Sequence, residues 1–363
     1  MARNPVLSAL AAYGGEYEKK LFGKLYRGLT AAKQLTLVED VKNKVTLTGL
    51  RIGNGAKPGT GVFKPKGDDI IFEPRVLEVQ EFQRDIQIFP KDFRTSFMAA
   101  MRGRGENAKN KKVPFVDYIW DQVVAQIGSE INRRAIYFGV GKEAFTTFDA
   151  GATYAIGDRV KIAHADGEIE YFRCKAATTA GQTPYTHPAK WVNNNVEAIC
   201  EGFGPKIVAG INAGDINPVT TGAITTSSGA YAQFKKMWRA QDEEIRDNDQ
   251  ILCPTFCSFT DYDLLVDDHE EKVGKYTDVD PETGLRFLKG TDRRNPIIPA
   301  LWLGGARRLI NVPTAEMLVG TDLLSDMNNI NTIEQMYHLD AGITGLIGTQ
   351  IRDLSKLRVS DQS

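Results

Sequence analysis

The chain has 363 residues, 42% of them hydrophobic, which is enough apolar content for a sizeable core and excludes a largely disordered protein. Its 45 Lys and Arg offset 46 Asp and Glu, so no net field favours wrapping nucleic acid or lying on an anionic membrane. Four cysteines, Cys174, Cys200, Cys253 and Cys257, are too few and too irregularly spaced for a disulfide framework, and free thiols in a reducing cytosol are expected.

Residues 1–44 read as an arm with a short helix at best, because Gly14, Gly15, Gly23 and Gly28 interrupt the apolar spacing. The same glycines and charges break any signal-peptide pattern, and no apolar run in the chain approaches the roughly 20 residues of a membrane span. Over residues 45–95 the texture changes to alternating strands around a tip rich in Gly, Pro and Lys, which predicts an extended hairpin. Its outward strand is poor in apolar residues, so a neighbouring molecule is expected to cover it, with Arg51, Lys57, Lys64 and Lys66 as the candidate inter-subunit residues. Between the hairpin and the next element, Arg102, Arg104, Lys109, Lys111 and Lys112 form a basic stretch expected to be a solvated loop, with contact to DNA or to a neighbour's acidic edge as the alternative.

Within residues 96–143, Pro114 suits a first helical turn, and Phe115, Ile119, Val123, Ile127 and Ile131 recur four apart, flanked by Val116, Trp120 and Val124. A helix from Phe115 to Phe138 would run about 36 Å and act as a spine. Residues 144–196 then alternate loosely through Tyr154, Ile156, Val160, Ile162, Ile169, Tyr171 and Cys174, with turns at Gly157-Asp158 and Asp166-Gly167, which predicts a small inserted β domain. Residues 197–228 read as strand and loop. In residues 229–307, Tyr231, Phe234, Met237, Trp238 and Ile245 give one amphipathic helix, followed by a buried strand and a helix beginning at Thr260. Residues 308–363 read as several short strands. The predicted class is α+β, with segregated helices and mixed sheets.

No motif for chemistry survives its own spacing test. Gly141-Lys142 is followed by Glu143 and lacks the upstream glycine of a phosphate-binding loop. Asp278, Asp280 and Glu282 begin like a calcium loop, but Lys289 stands where the closing glutamate belongs. Asp267 to Glu271 are consecutive on a helix and diverge, and His164, His187, His269 and His338 are not paired at helical spacing, so no metal site, cofactor or catalytic residue is nominated. Cys253 and Cys257 are expected as small buried hydrophobes.

This order of an arm, an extended hairpin, a spine helix, a central sheet with flanking helices and closing strands resembles the major capsid proteins of tailed bacteriophages, the Hong Kong ninety-seven type. The resemblance is carried by 45–93, by the helix beginning at Pro114 and by the closing stretches "INVPTAEMLVGTDLLSDMNNI" and "GTQIRDLSKLRV". It implies a non-enzymatic shell subunit that forms pentamers and hexamers around double-stranded DNA, contacted without sequence specificity. Residues 229–307 would then be the axial domain, and 96–143, 197–228 and 308–363 the peripheral domain, with 1–44 as a separate arm. Scaffolding, portal and decoration proteins become expected partners, no membrane is involved, and the location is the virion, after assembly in a host bacterial cytoplasm. Encapsulin compartments share that fold and are the alternative shell.

Residues 144–196 are in turn similar to small chitin-binding-type carbohydrate-binding modules, through a Gly-Asp turn, a Tyr-bearing strand, a Pro-containing loop and a Trp. That similarity makes Tyr154, Tyr171, Tyr185 and Trp191 candidate glycan contacts. The competing expectation is that these rings form the core of a domain with little else to bury. A carbohydrate-active enzyme bearing such a module is the alternative from another class, although no acid pair is nominated for it.

Overall fold

The computed structural model describes residues 11–14, 17–52, 70–89, 114–226, 228–248, 250–274, 279–282, 284–322 and 329–362. In chain order these form α1 (Glu18–Gly28), α2 (Thr30–Gln34), β1 (Thr36–Val38), β2 (Lys44–Ile52), β3 (Ile70–Glu78), β4 (Gln80–Ile88) and α3 (Pro114–Glu130). Next come β5 (Thr146–Thr147), β6 (Arg159–Ala163), β7 (Ile169–Cys174), β8 (Trp191–Asn193), α4 (Phe203–Ala213), α5 (Ala230–Arg239), β9 (Thr255–Cys257) and α6 (Phe259–Val273). The chain closes with β10 (Arg286–Phe287), β11 (Pro296–Pro299), β12 (Ile310–Asn311), β13 (Met317–Gly320), β14 (Asn329–Glu334), β15 (Leu339–Ile351) and β16 (Arg358–Val359). The class is α+β.

The stripe expected on the spine is the buried one: Ile119, Trp120, Val124 and Ile127 on α3, then Ile131, face the main core. Regular α-winding stops at Glu130, however, and Ile131–Ala135 continue as a π segment, so the expected single helix to Phe138 changes pitch. There the buried Asn132 reaches the arm, accepting from the Ala31 amide at 3.3 Å and donating to Thr30 Oγ1. Such a buried amide is costly unless bonded, which fixes the register between arm and spine.

The arm itself corrects the sequence expectation. Leu21, Phe22, Leu25 and Tyr26 of α1 are buried on the spine, Lys24 pairs with Asp121 at 2.7 Å, and β1 runs parallel to β13. Residues 18–38 therefore belong to the body of their own chain. Two further corrections concern helices. Residues 203–213 are helical rather than strand and loop, because their glycines mark close packing: a Cβ on Gly204 would stand 2.7 Å from the Tyr137 carbonyl oxygen. The helix expected from Thr260 starts at Phe259, capped by Ser258, whose hydroxyl accepts from the Asp261 amide at 3.1 Å.

The main sheet has the order β1-β13-β15-β14, with β4 also paired to β15. Its axis is β15, thirteen residues long rather than one of several short strands; it pairs with β14 and β4 through its first part and with β13 after Ile347. A second sheet, β10-β11-β9-β12-β16, lies under α5 and α6 and has its own core around Phe234, Met237, Leu265 and Ile297. Strands β12 and β16 enter this sheet from beyond residue 307, so the final segment serves both sheets.

Candidate functional site

Of the hairpin expected over 45–95, the structure describes β2 and β3, paired antiparallel from Lys44 opposite Glu78 to Ile52 opposite Ile70, whereas β4 leaves it to pair with β15. Nine residues per strand at about 3.4 Å each make a ribbon roughly 30 Å long. Its pleat separates two faces. Leu47 and Leu77 turn into a small core with Val41, Val79, Leu318 and Leu346, which anchors the root. On the other face Thr46 stands opposite Val76 and Thr48 opposite Pro74; Phe72 is 63% exposed and Val76 43%.

The ribbon is a two-stranded sheet, an arrangement marginal in water without further cover. Sequence reasoning named lysines for this contact and missed the apolar face; the signal was the alternation Phe72, Pro74, Val76. Arg51 lies in β2, with its side chain outside the described residues, and Lys57, Lys64 and Lys66 lie wholly outside them. The basic stretch from Arg102 to Lys112 does too.

At the root, β4 leaves the ribbon and crosses beside β15. A Cβ on Gly348 would sit 2.0 Å from the Glu78 carbonyl oxygen, so only glycine admits this crossing. Gln350 Nε2 donates to the Val76 carbonyl at 2.5 Å and ties ribbon to sheet.

Residues 144–196 carry a four-stranded sheet, β5-β6-β7-β8, with a core of Val160, Phe172, Cys174 and Trp191. The four candidate aromatics do not share one face. Trp191 is 5% exposed, meets Tyr154 and Phe148 edge to face at 5.3 and 6.0 Å, and donates its indole N–H to the Gln182 carbonyl at 3.1 Å. Tyr154 stacks on Phe148 at 5.5 Å and donates its hydroxyl to the Asp149 carbonyl at 3.1 Å.

Tyr171 alternates with Phe172 along β7, so it points to the opposite face, where it meets Phe145 at 4.9 Å. Its hydroxyl is pushed up in pKa by burial and then by the charge of Glu143. Tyr185 alone is exposed, at 54%, against the edge of Phe172; its hydroxyl bonds Glu170 and lies 2.9 Å from His164 Nε2. Desolvation, the Glu170 bond and the charges of Glu170 and Glu168 raise it to about 12.

Between β4 and the β6–β7 turn lies an open cleft of about 1010 Å³. Its carboxylates come from three places: Glu78, Glu81 and Asp85 on the β4 side, Glu143 beneath, and Asp166 and Glu168 on the turn. Lys142 is the one cation lining it among the described residues. Nothing in the sequence brings these groups together, because they line one cleft only through β4 pairing with β15 and the β6–β7 turn standing beside it.

Among the described residues, no three His, Cys, Asp or Glu assemble into a metal cluster, and no helix is long and apolar enough to cross a membrane.

No protein-family model and no curated protein sequence matches the chain. Among solved structures, it is similar to a chain of the satellite phage P4 procapsid including the size determination (Sid) protein, at 8% identity and TM-score 0.49, over 94% of this chain and 98% of that one. It is also similar to a virus-like particle from Pyrococcus furiosus, at 8% identity and TM-score 0.45, over 96% and 99%. The capsid of Myoviridae phage XM1 is similar at 10% identity and TM-score 0.45, over 92% and 91%.

Proposed function

We propose that this chain is a shell-forming structural protein, the major capsid subunit of a tailed phage, closing as pentamers and hexamers into an icosahedral head around double-stranded DNA. One observation carries the reading: a two-stranded ribbon about 30 Å long leaves the body with Phe72, Pro74 and Val76 on an exposed face that no described residue covers. Burying an exposed Phe or Val side chain yields about 1.5–3 kcal/mol, and a subunit repeated around a closed shell supplies that burial on each neighbour. The organisation of ribbon, spine and closing strands on which the sequence resemblance rests points the same way.

In this reading the second sheet with α5 and α6 faces the capsomer axis, and the insertion stands on the shell surface. Scaffolding, portal and decoration proteins are the expected partners, and DNA contact is non-specific. Of the four aromatics, Tyr185 alone offers exposed ring surface to a glycan.

The test compares wild type with the double variant Phe72→Asp, Val76→Asp by sedimentation velocity and negative-stain electron microscopy. Wild type is expected as capsomers or shells, and the variant as monomer with an unchanged thermal midpoint, because both side chains are exposed in the isolated chain. A variant that assembles like wild type would overturn the assignment of this face.

A further inference from the structure

We propose that His164, Glu170 and Tyr185 form a binding site for a divalent metal ion of the zinc type, held by one imidazole, one carboxylate and one phenol oxygen. The inference is independent of the assembly reading. Three donor atoms from three segments converge: His164 Nε2 lies 3.1 Å from Glu170 Oε2 and 2.9 Å from Tyr185 Oη, and the Tyr185 hydroxyl donates to the same Glu170 oxygen. A tetrahedral ion about 2.1 Å from each donor holds them roughly 3.4 Å apart, so the triangle has only to open slightly to admit one.

The donors are fixed before any ion arrives. Ile162 pairs with Glu170 across β6 and β7, and the His164 amide donates to the Glu168 carbonyl at 2.8 Å, so the His164 and Glu170 side chains stand on one face of the sheet. Tyr185 comes from the connection between β7 and β8. Buried Pro184 precedes it, and Thr183 and Thr186 close the turn around it, each amide donating to the other's hydroxyl at 3.1 Å. Its ring stands edge-on to Phe172 at 5.7 Å and to His164 at 5.9 Å. Such support lets the three groups hold an ion without first paying to be ordered.

Charge and access favour a cation. The charges of Glu170 and Glu168 both bear on the Tyr185 hydroxyl, and among the described residues no Lys or Arg pairs with either carboxylate. The His164 side chain is 34% exposed and that of Glu170 25%, so the open side of the triangle faces solvent and leaves room for water ligands. One imidazole with two oxygens suits zinc rather than calcium, which takes oxygen ligands alone. As the metal–oxygen bond forms, the Tyr185 O–H bond breaks and its proton leaves to solvent. Sequence spacing hid this set, because Glu170 lies 6 residues from His164 and 15 from Tyr185, and only the β6–β7 pairing and the returning loop join them. Its third member is a tyrosine, so it is not a cluster of His, Cys, Asp and Glu alone.

The experiment titrates the chelator-treated full chain with Zn²⁺ by isothermal titration calorimetry, with Ca²⁺ as comparison. Wild type is expected to bind one Zn²⁺ per chain, to develop a tyrosinate band in the near ultraviolet, and to exchange the amides of Tyr185, Thr186 and His187 more slowly with the ion bound. His164→Gln, Glu170→Gln and Tyr185→Phe are each expected to weaken Zn²⁺ binding at least tenfold, and Tyr185→Phe to abolish the band. His187→Gln is expected to bind as wild type, since its Nδ1 is engaged by Thr186 Oγ1 at 2.9 Å.

Wild type that takes up no Zn²⁺ would overturn the proposal. So would Zn²⁺ binding that survives all three variants, that is lost with His187→Gln, or that Ca²⁺ matches in affinity. The absorbance and exchange readouts need wild type alone, so they decide the matter even should a variant misfold: Zn²⁺ bound with neither the band nor the slowed exchange overturns the assignment.

Discussion

Replacing Trp191 by alanine separates the stability of the β5–β8 sheet from that of the rest of the protein. Truncating a buried Trp costs about 3–5 kcal/mol, and here the ring is 5% exposed and wedged against Phe148 and Tyr154. Loss of its indole N–H also frees the Gln182 carbonyl, a further ~1 kcal/mol. The core under the β5–β8 sheet is only Val160, Phe172, Cys174 and Trp191 with a few half-buried neighbours, and a core this small holds no more than about 3–5 kcal/mol of its own.

The variant thus removes the whole stability of the module, and protection of the β6 and β7 amides against hydrogen exchange should fall by about 10²–10³-fold at 1.4 kcal/mol per decade. The amides of β15, in a separate sheet, should exchange as in wild type. Trp191→Phe keeps most of the ring packing and should lose about 1 kcal/mol for the hydrogen bond. Unchanged protection in β6 and β7, or loss spreading equally to β15, would refute the picture of a separate core under the β5–β8 sheet built on this indole.

Other outcomes follow from single positions. Gly348→Ala forces a Cβ toward the Glu78 carbonyl, so the denaturation midpoint should fall by the equivalent of about 1–3 kcal/mol. Burial raises Cys200 and Cys253 to about 12 and pushes Cys257 well above the usual thiol range, and burial foremost also raises Cys174, so a disulfide reagent at pH 8 should label the thiols only after denaturation.

Asp361 is held below the usual carboxylate range, chiefly by the hydrogen bond from Gln362 and also by bonds from Thr221 and Gly222. Its folded value lies below its unfolded one, so its contribution is present above about pH 4 and is lost as pH falls through the folded value. Asp361→Asn should accordingly narrow the difference in thermal midpoint between pH 7 and pH 3.

Legibility of the fold in the sequence followed periodicity. The α3 stripe and the β2–β3 ribbon were readable because Ile119, Val123 and Ile127, and then Val45, Leu47 and Leu77, repeat at the spacing of their element. Helix α4 was hidden because glycine signals a breaker in sequence, whereas Gly204 is there to let Tyr137 approach. The arm misled for a similar reason: its glycines suggested looseness, yet Leu21, Leu25 and Tyr26 find burial against a spine more than ninety residues later in the chain. The cleft was not readable at all, since Glu81, Glu143 and Asp166 belong to three segments that meet only through β4 pairing with β15 and the position of the β6–β7 turn. The aromatic residues of 144–196 were found, but whether a ring faces a sugar or a core depends on strand register, and register puts Trp191 opposite Cys174, inside.

The account stands or falls on association. Cryo-electron microscopy of the purified chain, expressed alone and together with its neighbouring genes, measures it most directly. Closed shells or capsomer rings, with the β2–β3 ribbon laid on an adjacent subunit and residues 144–196 on the outer surface, are predicted. Monomers persisting in both preparations at high concentration would contradict it.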